Sequence, residues 1–436
     1  MLRNLFFLDK FYLIGFTLLI PTSINLSIAQ FLSPVLNAIM GRTDRPELSI
    51  SAFSIAFSIL FLIALPQLRI QQLTIVYFKN FNKLKIHFFV LLMSLICLAV
   101  SIFVIFTPVS IFFLENIFGT KGDLRKSVED GLRIGFYIPV LLILKMHFYG
   151  ISIVTNKSSL IWIGTIFGFL CACILAVLFF LLGYDGHKIG MLAFSLSLFF
   201  ETIFICFLVR NELFDKNYSF DKDIFFVGDL FKFFIPLLFA AFLPSFTLPA
   251  VNACLTRLDN PEISISAVNV GFGIFGAVSF TINGCQSTIL SLISNGYSYI
   301  KIREFSYFVG FLTLLLCGSI AWIGPINEFI FINLFNLEDK LFTSTLLVFR
   351  LLSFLPPFLV MEQLYVGIIM NSKSTNPIIY INICRFLVLI MTLGTGILIF
   401  KNFESYGSIV GGSAWSLTLF FEAIFAWLFA RNIAKP

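Results

Sequence analysis

Two segments of this chain, 215 residues apart, carry almost the same sequence. The first, at 37–52, reads NAIMGRTDRPELSISA, and the second, at 252–267, reads NACLTRLDNPEISISA, with ten of the sixteen positions identical. A further match joins 195–211 to 416–432, near the ends of the two copies. The chain is therefore a tandem duplication, and each half is expected to fold with the same order of elements.

The composition restricts the kind of fold that was duplicated. The 436 residues are 59% hydrophobic and 12% charged, with a mean hydropathy of +0.99. Soluble domains carry roughly 25% charged residues. The apolar residues lie in long runs, and ~20 of them cross the ~30 Å hydrocarbon core of a bilayer. Strands of a membrane barrel would alternate polar and apolar residues, which these runs do not. The sequence therefore predicts an all-α polytopic membrane protein.

The apolar runs predict twelve transmembrane helices, six in each copy. The first six are expected near 11–41, 49–77, 85–114, 131–155, 159–183 and 189–209. Their counterparts are expected near 232–255, 263–292, 305–332, 345–370, 376–400 and 406–430. An even number of spans gives both copies the same orientation, as in parallel repeats about an axis along the membrane normal. We predict an N-terminal six-helix lobe at 1–210, a cytoplasmic linker at 211–231 and a C-terminal six-helix lobe at 232–436.

The distribution of Lys and Arg predicts the orientation. With both termini inside, the inner side holds 15 of these residues and the outer side holds 11. Lys79, Lys83 and Lys85 form a compact inner cluster. Because cytoplasmic loops carry an excess of Lys and Arg, we expect a multi-pass protein of the plasma (inner) membrane with both termini in the cytoplasm.

Several ionisable side chains fall inside the predicted spans, where such residues are rare and usually face a cavity or a partner. They are Arg69, Lys145, His147, Arg350, Glu362 and Arg385. Two pairs of repeated polar residues join them as candidates: Asn37 with Asn252, and Gln71 with Gln286.

Structural roles stay open for most of these residues. Arg69 could snorkel toward the inner headgroups, and His147 could be a hydrogen-bonded core residue. Glu362 and Arg385 could form a structural pair between adjacent helices. Glu201 and Glu422 occupy equivalent positions in the two copies, which favours a shared structural role within each lobe.

The balance of these charges favours an anionic solute. Spans 1, 2, 4, 5, 7 and 8 contain no Asp or Glu, and the three candidate glutamates Glu201, Glu362 and Glu422 are set against four cations and His147. Each net negative charge that leaves a cell with an inside-negative potential gains ~2.3 kcal/mol per 100 mV. The sequence has no Walker loop, HExxH or G-x-S-x-G motif. The longest outer loop, predicted at 119–133, offers no catalytic set. We therefore expect no enzyme activity, no cofactor and no metal site.

Several motifs resemble the MOP exporter superfamily, which includes multidrug and toxin extrusion (MATE) proteins, lipid-linked precursor flippases and polysaccharide exporters. A long first span, bent at Pro21 and Pro34, precedes a short polar loop, and the next span opens on Ser51-Ala52. Within the superfamily, 348–356 (VFRLLSFLP) and 385–390 are similar to the progressive ankylosis protein branch.

This resemblance implies a MATE-like fold and the export of small anions such as pyrophosphate, nucleotides or citrate. Arg350 matches the pattern of the branch. Arg69 departs from it, because an acidic residue is expected near that position, and the identity of the substrate therefore stays open.

We expect alternating access, in which two lobes rock around a central cavity lined by spans 1, 2, 4 and 5 and by their counterparts 7, 8, 10 and 11. The protein would act as a monomer in the lipid bilayer on a small, anionic molecule, with no nucleic-acid partner. Two other functions stay open. One is a sodium- or proton-coupled multidrug exporter in which Glu362 titrates, and the other is a flippase for a lipid-linked precursor.

Overall fold

A computed structural model describes residues 10–65, 67–78, 83–155, 157, 159–213, 227–337, 339–371, 376–400 and 407–431, and all regular structure within them is helical. The first copy contains α1 (Lys10–Met40), α2 (Pro46–Ile63), α3 (Gln67–Tyr77), α4 (Lys83–Phe106), α5 (Val109–Phe112), α6 (Gly122–Gly135), α7 (Ile138–Val154), α8 (Ser159–Leu181), α9 (Gly186–Leu208) and α10 (Arg210–Leu213). The second contains α11 (Val227–Ser245), α12 (Thr247–Leu255), α13 (Pro261–Val278), α14 (Phe280–Asn283), α15 (Cys285–Ser294), α16 (Tyr299–Trp322), α17 (Gly324–Glu328), α18 (Asp339–Leu352), α19 (Pro356–Asn371), α20 (Asn376–Phe400) and α21 (Gly407–Ala430). A π-helical turn follows α5 at Phe113–Ile117 and α17 at Phe329–Leu334.

The duplicated motif starts a helix in both copies. α2 begins at Pro46 and α13 begins at Pro261, each with a glutamate in its first turn, Glu47 or Glu262. Proline suits the first helical position because its missing N–H has no helical partner there. A carboxylate in this turn stabilises the positive end of the helix dipole. The residue before Pro261 is Asn260, whose φ of 52° is left-handed, a conformation that Asn tolerates better than most residues.

The helices support a multi-pass membrane protein. Among the described residues, eight helices are long and apolar enough to cross a membrane, and two bent pairs could add two spans. These pairs are α6 with α7, bent by 43°, and α18 with α19, bent by 45°. The other two predicted spans fall on α1 and on α11–α12, where some side chains lie outside the description. The all-α polytopic fold is confirmed, and the count of twelve spans stays a prediction.

The segment predicted as the longest outer loop is instead largely the helix α6. Asp123 lies in its first turn and Arg133 in its last, which complements the helix dipole. Arg133 Nη2 also lies 2.6 Å from Glu129 Oε1, one turn earlier. Leu124 and Val128, four residues apart, are both buried. The loop prediction was wrong because the many charges of this segment solvate one face of an amphipathic helix.

The helices pack as two units, and we name them the central and the terminal unit. The central unit is Val35–Arg257, and the terminal unit combines Met1–Pro34 with Leu258–Pro436, as far as each range is described. The lobes predicted from the duplication, 1–210 and 232–436, divide the chain differently. The predicted linker at 211–231 lies mostly outside the described residues.

The observed units differ from the predicted lobes in where the first parts of spans 1 and 7 pack. In the central unit, Phe234 of α11 is 1% exposed, and its ring centroid lies 5.5 Å from that of Phe89 on α4. In the terminal unit, Leu19 of α1 is 0% exposed and packs in one apolar cluster with Phe305 of α16. Leu19 and Phe234 stand 215 residues apart, at the offset of the repeat. Equivalent half-helices therefore complete the core of the unit that contains the other copy.

Candidate functional site

The candidate residues fall into two sets, one in each unit. The central unit holds Asn37, Arg69, Gln71, Lys145, His147 and Asn252. The terminal unit holds Gln286, Arg350, Glu362 and Arg385.

Lys145, in the middle of α7, forms a buried ion pair with Glu201 of α9. Its Nζ lies 3.1 Å from the carboxylate, and the two side chains are 13% and 9% exposed. Tyr149, one turn after Lys145, donates its hydroxyl to Glu201 Oε1 at 2.5 Å. A charge buried away from water is stable only with a partner, so this contact explains how Lys145 occupies a mid-span position.

Glycines on α8 let the carboxylate approach. A Cβ at Gly168 would lie 2.5 Å from Glu201 Oε2, well inside van der Waals contact. A Cβ at Gly164 would lie 3.4 Å from the Tyr149 hydroxyl. The Lys145–Glu201 pair therefore depends on three helices, two that supply the charges and one that leaves room for them.

His147 lies at the centre of a second polar chain. It is 2% exposed, and its Nδ1 lies 2.8 Å from Thr74 Oγ1 while its Nε2 lies 2.8 Å from His87 Nδ1. Thr74 Oγ1 also lies 2.9 Å from the carbonyl oxygen of Ile70. At the other end, His87 Nε2 is buried and has no partner among the described residues.

In this chain of hydrogen bonds, the direction of each bond fixes the direction of the next. If Thr74 donates to Ile70, then His147 donates from Nδ1 to Thr74, and His87 donates from Nδ1 to His147. His87 Nε2 is then a bare acceptor. His147 is thus a hydrogen-bonded core residue, one of the two roles that its sequence position allowed.

The terminal unit neutralises its own repeated glutamate from a different helix. Arg385 Nη1 of α20 lies 3.0 Å from Glu422 Oε1 of α21, with side chains 18% and 9% exposed. The pair expected between Glu362 and Arg385 is therefore not the ion pair that forms. Glu362, half-buried on α19, accepts a hydrogen bond from Gln363 at 2.5 Å and interacts electrostatically with both Glu422 and Arg385.

The two units neutralise the repeated glutamate from different helices. Glu201 and Glu422 are equivalent in the repeat, yet one is balanced from α7 and the other from α20. At the offset of 216 that joins Tyr149 to Tyr365, Lys145 aligns with Met361. Because Lys145 and Arg385 are each paired with a glutamate, they no longer contribute to the predicted excess of positive charge. The anionic solute must then be argued from other residues.

The remaining polar candidates lie on α3 and α15. Arg69 is half-buried and donates from Nη1 to Gln72 Oε1 at 3.2 Å. Gln71 is also half-buried. Its repeat counterpart Gln286 donates from Nε2 to the sulfur of Met370 at 2.9 Å. These side chains are partly accessible, in contrast to the two ion pairs.

Asn252 of the duplicated motif ties α12 to α2 within the central unit. Its Nδ2 lies 3.2 Å from the Ser54 carbonyl oxygen and 3.3 Å from the hydroxyls of Ser54 and Ser58. Its repeat counterpart Asn37 is 0% exposed. The contacts give Asn252 a role in holding helices together, in addition to the wall position predicted from sequence.

Arg257 of the same motif was not among the candidates, yet it makes several contacts. Its Nη2 donates to the carbonyl oxygens of Asn116 at 2.8 Å and Ile117 at 2.6 Å. These carbonyls end the first π-helical turn, where the usual helical partners are missing. The signal was present in the sequence, because this arginine is one of the ten identities between 37–52 and 252–267.

Two further residues escaped the sequence analysis. His87 was missed because it stands near the charged start of α4, where a polar ring is unremarkable, and only the fold brings it to His147. Tyr149 was not among the candidates either, although it completes the Glu201 site. Arg350, by contrast, was predicted for the cavity but contacts the end of α16 through Ala321 and Trp322.

Solved transporters share this fold along nearly their full length. An inward-facing multidrug resistance MATE family transporter of the MOP superfamily superposes with a TM-score of 0.72 at 13% identity, covering 97% of both chains. The lipid II flippase MurJ in an inward closed conformation gives 0.71 at 17% identity, covering 94% of this chain and 87% of that one. The MATE multidrug transporter DinF-BH, solved in complex with a small molecule, gives 0.61 at 14% identity, covering 96% of both.

No protein-family model matches the sequence, and no curated protein matches it significantly. At identities of 13–17%, the structural similarity establishes the fold alone. The predicted MATE-like fold is confirmed.

Proposed function

We propose that this protein is a membrane transporter that exports small solutes by alternating access, and that it is not an enzyme. The observation that carries the proposal is the pair of buried charge networks in mid-span, Lys145–Glu201 and Arg385–Glu422. Ionisable residues inside membrane helices mark solute and ion pathways, and a membrane scaffold would need none. The fold shared with a MATE transporter and a flippase supports the same function.

We propose a small anion as the solute, in the class of pyrophosphate, nucleotides or citrate that the resemblance to the progressive ankylosis protein branch implies. The support comes from Arg69 on α3, a partly accessible cation. Its helix packs against α7, and the Lys145–Glu201 pair on α7 and α9 adds no net charge beside it. A positive interior attracts anions and raises their local concentration.

A second candidate is a proton- or sodium-coupled multidrug exporter, and the observation that favours it is Glu362. Among the described residues, this carboxylate shares its surroundings with Glu422 and with one guanidinium, that of Arg385. Two carboxylates beside one cation favour the uptake of a further cation, because like charges repel. The fold resemblance to the multidrug transporter DinF-BH is compatible with this candidate.

Reconstituted proteoliposomes separate the two candidates. Uptake of radiolabelled pyrophosphate, ATP and citrate is compared with uptake of ethidium, under an imposed membrane potential and under imposed proton or sodium gradients. The anion proposal expects potential-driven anion uptake that Arg69→Gln reduces at least tenfold, the effect of ~1.4 kcal/mol. Arg133→Gln, which removes an exposed arginine of α6, is the matched control.

Ethidium uptake would support the other candidate. If this uptake requires an ion gradient and disappears in Glu362→Gln, but not in the exposed Glu328→Gln control, the coupled exporter replaces the anion proposal. Uptake of neither class by folded protein would reject both.

We also propose that the protein acts as a monomer in the plasma (inner) membrane with both termini in the cytoplasm. The excess of Lys and Arg in the predicted inner loops supports the orientation. Protease accessibility of tags at each terminus in sealed inside-out vesicles tests the orientation. Tags protected inside these vesicles would reverse it.

A further inference from the structure

We infer that Arg350 and Trp322 form a binding site for the phosphate of an anionic phospholipid at the membrane interface. The inference is independent of the transported solute, and it places Arg350 outside the solute pathway predicted from sequence.

The guanidinium of Arg350 is held in a defined orientation by two contacts. Its Nε donates to the carbonyl oxygen of Ala321 at 3.1 Å, and its Cζ lies 4.8 Å from the centroid of the Trp322 ring. Neither terminal nitrogen atom of this side chain makes a hydrogen bond within the described residues. Arginine presents a planar fork that binds phosphate with two parallel hydrogen bonds. The guanidinium is therefore held in one orientation, and its two terminal nitrogen atoms can donate hydrogen bonds to a phosphate.

The first copy of the repeat supplies an internal comparison. Arg133 and Arg350 each stand six residues before a proline, Pro139 or Pro356, at the start of the next helix. Arg133 pairs with Glu129 at 2.6 Å. The equivalent of Glu129, at the same offset of 217, is Leu346. Arg350 thus lacks the carboxylate that neutralises its counterpart, and it forms no ion pair with a described residue.

Exposed aromatic and apolar side chains surround the Arg350 guanidinium, as expected at a surface that contacts lipid. Trp322 ends α16 and is 57% exposed, and Phe354 is also 57% exposed, with ring centroids 6.2 Å apart. Ile323, the next residue, is 47% exposed. Tryptophan is enriched at the level of the lipid headgroups. A phosphate on Arg350 would therefore place the acyl chains of the same lipid against exposed apolar side chains.

Quenching of tryptophan fluorescence by brominated lipids tests this site in the full-length protein. The signal of Trp322 is obtained as the difference between wild type and Trp322→Phe. It is measured in bilayers with increasing fractions of brominated phosphatidylglycerol or brominated phosphatidylcholine. One cation near an anionic lipid surface contributes ~1 kcal/mol, so quenching by phosphatidylglycerol should reach half its maximum at an about fivefold lower fraction.

Two variants make the result specific to Arg350. Arg350→Gln should bring the two lipids to the same half-maximum, whereas Arg133→Gln should preserve the fivefold preference. Arg350→Lys keeps the charge but loses the planar fork, so an intermediate preference is expected. The emission maxima of the other three tryptophans report whether each variant is folded.

Three outcomes would overturn the inference. They are equal quenching by both lipids in wild type, a preference that survives Arg350→Gln in folded protein, and loss of the preference on adding inorganic phosphate at constant ionic strength. The last result would assign the fork to a free anion instead of a lipid.

Discussion

Replacing Lys145 by methionine, the residue at the equivalent position 361 of the second copy, tests the role of the buried ion pair. Methionine removes the charge but keeps a long, flexible side chain. Removing one partner of a buried pair costs about 3–5 kcal/mol, because the other charge stays buried without compensation. The Tyr149 hydroxyl, 2.5 Å from Glu201, still donates to the remaining carboxylate. We therefore expect the lower end of this range, ~3 kcal/mol.

A second substitution distinguishes pairing from packing. Glu201→Gln removes the other charge, and its amide oxygen still accepts from Tyr149. In the double variant neither charge is buried alone, and replacing a whole buried pair is often neutral. The double variant should therefore lose less than ~1 kcal/mol. Compared with the ~3 kcal/mol lost in Lys145→Met alone, this gives a coupling energy of at least ~2 kcal/mol in the double-mutant cycle, and the coupling grows by whatever Glu201→Gln costs alone.

The thiols of the protein provide the assay. All eight cysteines are free, and Cys97 and Cys254 of the central unit are buried, as are Cys285 and Cys317 of the terminal unit. Heating detergent-solubilised protein with a thiol-reactive fluorophore reports when these side chains become accessible. For 150–250 residues, 1 kcal/mol shifts Tm by about 2–4 °C, so Lys145→Met should lower it by ~6–12 °C. A fixed scan rate is needed because such unfolding is often irreversible.

Lys126, an exposed lysine of α6, supplies the control. Lys126→Met should leave Tm within a degree or two of the wild-type value. If Lys145→Met leaves Tm as unchanged as the control does while anion uptake is lost, the Lys145–Glu201 pair does not stabilise the fold as inferred. Lys145 would then contact the solute instead.

Three further perturbations have defined outcomes. Arg385→Met should lower Tm by a similar amount, and adding Glu422→Gln should restore it. Glu362→Gln alone should leave Tm unchanged or raise it, because this change removes one of two neighbouring carboxylates. His147→Phe should cost ~2–4 kcal/mol, since it leaves Thr74 and His87 without their partner, whereas His87→Phe should cost less; the same thermal assay measures both. Arg257→Gln should speed hydrogen exchange at 113–120 without a large change in Tm, because it removes the donor to Asn116 and Ile117, and equal exchange in both proteins would argue against this role of Arg257.

Local features of the fold could be predicted from the sequence. The spans predicted to begin near 49 and 263 lie within a few residues of the observed starts of α2 at Pro46 and α13 at Pro261. The Pro-Glu pair accounts for these starts, because proline and glutamate act within a single helical turn. The long apolar runs predicted the helices, because hydrocarbon thickness alone sets their length. Neither feature depends on which helices become neighbours.

The partners of the buried charges could not be predicted, because they depend on packing. Glu201 meets Lys145 across 56 residues, and the approach depends on Gly168 on a third helix. A pair between Glu362 and Arg385 was one of the roles left open, because their helices follow each other in sequence. The structure instead brings Glu422 to Arg385, and nothing in the local sequence distinguishes these two choices.

The exchange of half-helices was hidden for a related reason. Leu19 and Phe234 are apolar and buried in either arrangement, so the hydrophobic pattern is the same whether span 1 completes the core of its own copy or of the other. A duplicated sequence makes the two cores similar, and similarity removes the signal that would assign each half-helix to one of them.

The duplication also shows where the polar residues of the two units differ. At the offset of 216, positions 145–147 (Lys-Met-His) align with positions 361–363 (Met-Glu-Gln). α7 thus carries a cation and a hydrogen-bonded histidine where α19 carries a carboxylate and its amide donor. Glu422 is neutralised by Arg385 of α20, so position 361 of the second copy does not need the cation that Lys145 supplies to Glu201 in the first. An anion contact in the central unit and a cation site at Glu362 therefore do not exclude each other, and transport of an anion with a coupled cation follows from both if each variant in the proteoliposome assay reduces uptake.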